Sequence, residues 1–326
     1  MTGSPLISVV VPTYKRPDLL ERCLAALLKQ NLPRDDWEIL VCDDGPSAQT
    51  QALVERVAEH AGGRPPVRYL PVSNTQGPAG ARNVGWRAAR APVIAFTDDD
   101  TMPEPGWLKA GLEAMASGVE AAVGTVLMPL PDEPGDLERD AARLTEAEFV
   151  TANCFVRRDA LDAVGGFDER FTLAWREDSD LQFALLERGF TIAPAPAATV
   201  VHPLRPMPFG ASLGMQKKVM FDVLLYRKFP ELYRQRIRPG PPWLYLTICA
   251  SLMAVLLGLL AGRWEVAAAA AAAWALLTTY FFIRRLRLSA CTLRNVAEVL
   301  FTSLFIPPLS IYWRVVGAAR FGGGLP

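Results

Sequence analysis

Asp98, Asp99 and Asp100 follow directly on the short apolar run Val93-Ile94-Ala95-Phe96-Thr97, so three carboxylates stand at the end of a segment that reads as a buried strand. Like charges this close repel one another unless a cation or strong hydrogen-bond donors stand among them. Hard oxygen ligands suit magnesium or manganese, which bridge a few carboxylates to the phosphates of a substrate. The triplet therefore points to Mg2+ or Mn2+ and to a nucleoside-diphosphate substrate. The plainer alternative is an acidic turn that caps the helix beginning near Trp107. Alternate residues of an extended segment face opposite sides, so Asp98 and Asp100 share one side and Asp99 takes the other.

Further residues join this group. Asp43-Asp44-Gly45 ends a second strand-like segment, where a carboxylate can accept hydrogen bonds from a base or a ribose hydroxyl, or simply make a turn. Gly77, Gly80 and Gly85, with Arg82 and Asn83, lie where a loop enters a helix; backbone donors and a guanidinium can meet phosphate there, although close helix packing explains the small residues equally well. Glu177 and Asp178 open another helix, a place where carboxylates are common caps. His202 closes the β-branched run Thr199-Val200-Val201, and is either a metal ligand or a structural imidazole. Trp107, Phe167 and Trp175 either stack on a sugar or acceptor face or belong to the core.

The elements that must position these residues alternate strand and helix. Ile7 to Val11 is a continuous β-branched run of the kind buried on both faces of a parallel sheet. A helix opens at Asp18, with Glu21 as capping-box partner. Strands follow at Glu38 to Cys42, Val67 to Val72 and Val93 to Thr97, with helices at Ala48 to Ala61 and Pro78 to Ala89 between them. This order implies an α/β fold, a mainly parallel sheet flanked by helices, in which ligands bind beyond the carboxyl ends of the strands. Asp43, Asp44 and the Asp98 triplet fall at those ends. Pro129 to Asp140, rich in Pro, Asp, Glu and Gly, reads as a flexible linker between a nucleotide half, residues 1–128, and an acceptor half, residues 141–238.

At 326 residues and 51% hydrophobic the chain has ample core-forming material, and its formal charge of zero argues against a nucleic-acid partner. Five cysteines without CxxC spacing fit a reducing setting better than a disulfide framework or zinc site. No Walker-type or dinucleotide-binding glycine motif is present, which disfavours ATP hydrolysis and redox chemistry. Residues 239–326 differ in kind. Leu244 to Gly262 lacks charge over about 28 Å of helix, enough to cross a bilayer, and Val266 to Ile283 is a second such stretch. The short Gly262-Arg263-Trp264-Glu265 link makes them a hairpin. Basic residues flank both outer ends, Arg227 to Arg238 before and Arg284, Arg285 and Arg287 after, so both flanks are expected in the cytosol. The polar start of the chain shows no signal peptide, in keeping with a cytosolic catalytic part on the inner membrane. Val296 to Val316, interrupted by Glu298, Pro307, Pro308 and Arg314, reads as an interfacial helix rather than a third span.

Ser8-Val-Val-Val-Pro-Thr-Tyr14, Asp43-Asp44-Gly45, Gly77-Pro-Ala-Gly-Ala-Arg-Asn-Val-Gly85, Asp98-Asp99-Asp100, Gly165-Gly-Phe-Asp-Glu-Arg-Phe171 and Arg176-Glu-Asp-Ser-Asp-Leu181 occur in that order. Together they resemble a family 2 glycosyltransferase of the GT-A fold, over roughly Ile7 to His202. The resemblance implies an inverting transfer of sugar from a nucleoside-diphosphate-sugar. It places Pro12, Thr13, Tyr14, Asp43, Asp44, Arg82, Asn83, Asp98 and Asp99 around the donor, and Trp175 and Arg176 near the acceptor. Asp98 and Asp100 become the outer members of a DxD motif, with His202 as a further metal ligand. An inverting transfer needs a base for the acceptor hydroxyl, and the resemblance gives that role to Asp178, with Glu177 as the fallback. A membrane-bound site favours a lipid-linked or other glycan acceptor. Transfer onto a polyprenyl phosphate and a non-catalytic scaffold that binds nucleotide-sugar are the alternatives; a nucleotidyltransferase is disfavoured because Pro12-Thr-Tyr-Lys-Arg16 lacks glycine.

Overall fold

The computed structural model describes residues 4–287 and 289–326. The chain separates into two compact units, one made of the residues up to Pro129 together with Arg143–Leu204, the other of Leu130–Ala142 with Arg205–Pro326.

In the first unit strands and helices alternate as β1 (Ile7–Thr13), α1 (Pro17–Leu27), β2 (Trp37–Asp43), α2 (Ala48–His60), β3 (Val67–Pro71), α3 (Pro78–Ala88) and β4 (Val93–Thr97). β1 pairs in parallel with β2 and β4, and β2 with β3. The apolar runs are continuous because alternate residues feed two cores. Val9, Val11, Ile39 and Val41 pack with α1 and α2 on one face, and Val10, Leu40 and Cys42 pack with α3 on the other. β4 lies at the bounds expected from sequence. α1 differs at its start: Arg16 is the N-cap residue, Pro17 enters the first turn, and no side chain caps the helix, so the box expected from Asp18 and Glu21 does not form. Proline supplies the entry instead, its missing N–H being one that the first turn leaves unused anyway.

After β4 the two-residue β5 (Met102–Pro103) leads to α4 (Trp107–Met115) and β6 (Ala121–Leu127). The chain later returns with β7 (Asn153–Arg157), α6 (Arg158–Val164), α7 (Glu177–Glu187) and β8 (Ile192–Val201). The sheet order is β3-β2-β1-β4-β7-β6-β8-β5, with β7 antiparallel to β4 and β6, and β5 antiparallel to β8. This is a mixed, mostly parallel eight-stranded sheet flanked by helices.

The second unit contains α5 (Asp136–Ala142), α8 (Ala211–Met215), α9 (Met220–Lys228), α10 (Pro230–Arg236), α11 (Trp243–Leu260), α12 (Trp264–Leu286) and α13 (Leu293–Phe321). The expected linker at Pro129 to Asp140 is in part a docked segment: Arg285 makes a 2.6 Å ion pair with Asp136, and the Asp136 N–H donates to the side chain of Asn295. Local composition gave no hint of partners so far along the chain. α11, α12 and α13 are each long and apolar enough to cross a membrane by length and composition. α11 and α12 approach closely at Gly258, where a Cβ would lie 2.9 Å from the Ala267 nitrogen. Small residues at such crossings let helix backbones pack, and Ala267 is the member of the alanine run that is buried there.

Candidate active site

The triplet after β4 is held by two arginines. Asp99 is fully buried; its carboxylate accepts a 2.7 Å hydrogen bond from Thr13 Oγ1 and pairs at 2.7 Å with Arg16. Arg16 also reaches Asp100 at 3.4 Å. Burial pushes the Asp99 carboxyl up to about 6 despite these partners. Asp98, partly exposed, pairs with Arg82 at 2.7 Å. Asp99 is sealed into the fold and Asp98 and Asp100 are left at the site, but not by strand alternation: β4 ends at Thr97, and the triplet lies in a turn in which the Thr101 N–H donates to the Asp98 carbonyl at 3.2 Å.

β5 completes the arrangement. Met102 sits opposite Val201 in the antiparallel β5–β8 pair, and this pairing brings Asp100 beside His202, whose Nε2 lies 3.5 Å from Asp100 Oδ1. Asp98, Asp100 and His202 each offer a ligand atom, and these atoms lie within 4.8 Å of one another. His202 Nδ1 is buried without a hydrogen-bond partner among the described residues. Two carboxylates and an imidazole at this spacing form a donor set that fits a divalent cation.

Arg82 links this cluster to α7. It is 2% exposed, and its other terminal nitrogen donates to Glu177 Oε1 at 3.2 Å, so one guanidinium spans Asp98 and Glu177. α7 starts immediately after Arg176, which has φ +72, a left-handed conformation unusual for a residue with a side chain. Arg176 lies over the exposed Trp175 ring at 4.6 Å. Burial, and next to it the charge of Asp178, pushes Glu177 up to about 7. Burial also raises Asp178, which is half-buried and accepts a 2.6 Å bond from the Ser179 N–H. Two adjacent carboxyls with raised affinity for protons, one held by an arginine and one reachable, can provide a general base.

The remaining expected donor residues have mixed placements. Asp43 is buried at the end of β2, where it accepts from the Gly45 and Ser47 N–H groups and from Tyr69 Oη at 3.0 Å. Asp44 is half-buried, is raised by burial, and receives the Gly77 N–H at 2.9 Å. Gly77 must be glycine: its φ is +99, and a Cβ would lie 2.6 Å from the Thr172 carbonyl oxygen. Pro12 and Thr13 are buried, whereas Tyr14 is exposed. Asn83 donates to the Phe167 carbonyl and Glu169, and accepts from Trp86 Nε1 and the Phe167 N–H. All four of its hydrogen-bonding positions are filled by the protein, which is a structural role. Trp107 and Phe167 belong to the core, Trp107 with its Nε1 on Asn153 and Phe167 edge-on to Phe96. Sequence reasoning missed Arg16 as a partner of the triplet. The available signal was its position just beyond β1, whose parallel neighbour β4 carries the triplet.

Residues 8–166 match the model of Glycosyl transferase family 2, and residues 139–283 that of Glycosyl transferase family group 2. The glycosyltransferase AglE of Haloferax volcanii is 27% identical over 225 residues, covering 66% of this chain and 72% of AglE. The GalNAc(5)-diNAcBac-PP-undecaprenol beta-1,3-glucosyltransferase of Campylobacter jejuni is 30% identical over 137 residues, 42% of each chain. Among solved structures, the mannosyltransferase PcManGT from Pyrobaculum calidifontis, in complex with GDP-Man and Mn2+, superposes with a TM-score of 0.61 at 20% identity, covering 96% of this chain and 88% of that one. The fold is thus shared across both units, and with two family models matching successive parts of the sequence, this chain belongs to glycosyltransferase family 2.

Proposed function

We propose that this glycosyltransferase moves a sugar from a nucleoside-diphosphate donor to a hydroxyl of a lipid-linked acceptor, with inversion, in a reaction that needs Mg2+ or Mn2+. The carrying observation is the bridge made by Arg82 between Asp98, beside Asp100 and His202, and Glu177, beside Asp178. Asp98, Asp100 and His202 would hold the cation, which when bound neutralises charge on the departing diphosphate. Asp178 takes the proton of the attacking hydroxyl. Its carboxyl, raised by burial, is a stronger base than one in water and is still ionised at higher pH. Glu177 stays fixed on Arg82, which holds the start of α7 in place. Asp44 is the donor-facing acid in this reading, because it is half-buried whereas Asp43 is fully buried and Asn83 has its hydrogen-bonding positions filled. Trp175 and Arg176 offer the acceptor a flat, cationic surface.

Two relatives support the parts of this reading: the name of the Campylobacter enzyme includes a diphospho-undecaprenol, and PcManGT was solved with a nucleotide-sugar and Mn2+. α11 and α12 would hold the enzyme at the cytosolic face of the membrane.

The test is a screen of nucleotide-sugars for release of nucleoside diphosphate, with and without membrane lipid extract, in Mg2+, Mn2+ and chelator. Turnover should require cation and lipid, and rise with pH as Asp178 ionises. Asp178→Asn should lower turnover by at least about a hundredfold, the scale of general-base catalysis. Undiminished turnover in chelator would remove the cation, and equal turnover by Asp178→Asn would remove the base and favour a phosphate acceptor. Donor binding without turnover under all conditions would favour a scaffold.

A further inference from the structure

α13 presents an apolar face to its surroundings, unusual for a helix in water. Its exposed positions between Ala297 and Ala319 are all apolar, among them Leu300, Phe301, Phe305, Tyr312 and Val315. Its buried side mixes the polar Thr302, Ser303, Ser310 and Arg314 with Val299, Ile306, Pro307 and Phe321. A surface of this kind is covered by an apolar phase, and α11 and α12, apolar on their exposed sides as well, belong to the same unit.

Thr302 and Ser303 accept from Arg285 of α12, and the segment from Phe209 to Lys228 runs beside the helix in the same direction. The Gly210 N–H donates to Glu298 at 2.8 Å, and the Phe209 and Phe301 rings lie 5.8 Å apart. Lys217 Nζ sits 5.8 Å from the centre of the Trp313 ring. Asp222 pairs with Arg314 at 3.5 Å, and a Cβ on Gly317 would lie 2.6 Å from the Met220 carbonyl oxygen. This flanking segment carries Lys217, Lys218, Arg227 and Lys228, whereas its one acid, Asp222, is buried against Arg314. Lys217 and Arg227 are exposed.

A transverse α13 would carry these cations through the hydrocarbon layer, where each is strongly unfavourable. Lying flat, the pair places the apolar face of α13 among acyl chains and the cations at the level of the headgroups. We infer that α8, α9 and α13 form an amphipathic platform seated in the interface of an anionic phospholipid leaflet, and that α13 does not cross the bilayer. The C-terminus then emerges on the side of the membrane that holds Lys228. This inference rests on α11 and α12 crossing the bilayer as a hairpin; a chain washed from membranes by alkaline carbonate would fail that reading first.

Two measurements on the full-length chain test it. Epitope tags at the N- and C-termini should be cleaved together by protease in one vesicle orientation and protected together in the other; opposite protection would overturn the inference. Nitroxides at Phe305→Cys and Tyr312→Cys, with Cys249 and Cys291 replaced by Ser, should report equal, shallow depths in vesicles of phosphatidylglycerol and phosphatidylethanolamine. A nitroxide at Leu256→Cys in α11 should lie deeper. Deep or graded positions along α13 would overturn the flat orientation. In phosphatidylcholine vesicles both α13 positions should shift toward water; identical depths there would remove the role of anionic headgroups.

Discussion

Arg82 is the residue on which most of the site turns, and it does so without surface of its own. Its guanidinium is shared between Asp98 at 2.7 Å and Glu177 at 3.2 Å, with the Phe167 ring 5.8 Å away. Burial opposes its charge, but the two carboxylates hold the proton more firmly than in water. Removing one partner of a buried ion pair leaves the others uncompensated, at a cost of about 3–5 kcal/mol. Arg82→Ala should therefore lower the unfolding free energy by about that amount and abolish turnover. Arg82→Lys keeps the charge but gives up the planar fork that meets two carboxylates at once. It should recover much of the stability and little of the turnover. Chemical unfolding followed by nucleotide release on the folded fraction separates the two effects; a Lys variant with full turnover would show that charge alone is required.

β2 shows how the sheet fixes itself before it serves the site. Glu38, inside this strand and fully buried, receives the Ser8 hydroxyl at 2.8 Å, the Arg90 N–H at 2.7 Å and the Arg90 side chain at 2.9 Å. Burial alone would raise its carboxyl, but the bonds from Arg90 and Ser8 outweigh it and bring it below the ordinary value of 4.5. A carboxyl depressed in the fold adds stability that is fully present above its unfolded value and is lost as pH falls through the folded one. The chain should thus lose stability below about pH 4.5 more steeply than a Glu38→Gln variant, which has no such term and should be less stable near neutrality by on the order of 1–3 kcal/mol. Urea midpoints at several pH values measure both. Parallel slopes for the two proteins would remove Glu38 from the acid response. The strands themselves were legible in the sequence because Ile7 to Val11 and Val93 to Thr97 are uninterrupted apolar runs, as two-sided burial demands. The α1 start was less legible, since Pro17 and an Asp-x-x-Glu pattern each predict an entry and only the first is used. Of the site, the carboxylates and His202 were visible as motifs. Their connections were not: Arg82 meets Glu177 across 95 positions of sequence, and β5 meets β8 through a two-residue pairing that leaves no periodic signal. The docking of α5 on Arg285 is of the same kind, a non-local ion pair that local loop composition conceals.

Across the whole molecule the formal charge of zero hides a strong division. From Arg205 onward 15 Lys and Arg stand against 4 Asp and Glu, so the rest of the chain is acidic to the same extent. A cationic stretch that carries three candidate membrane spans raises the question of whether charge or insertion would hold the protein at a bilayer. Length together with the lack of charge favours insertion of the hairpin: α11 has 18 residues and α12 has 23, or about 27 and 34 Å, against a hydrocarbon core of about 30 Å. Leu256, Leu257, Leu260 and Leu276 are exposed along them. Salt screens charges, the Debye length falling to about 3 Å at 1 M, but leaves the transfer of apolar side chains into lipid intact. Membranes washed with 1 M salt or alkaline carbonate should therefore keep the chain in the pellet, and only detergent should release it. Immunoblots of pellet and supernatant check this directly. Release by salt alone would mean that the hairpin does not insert and that the basic unit binds the surface by electrostatics.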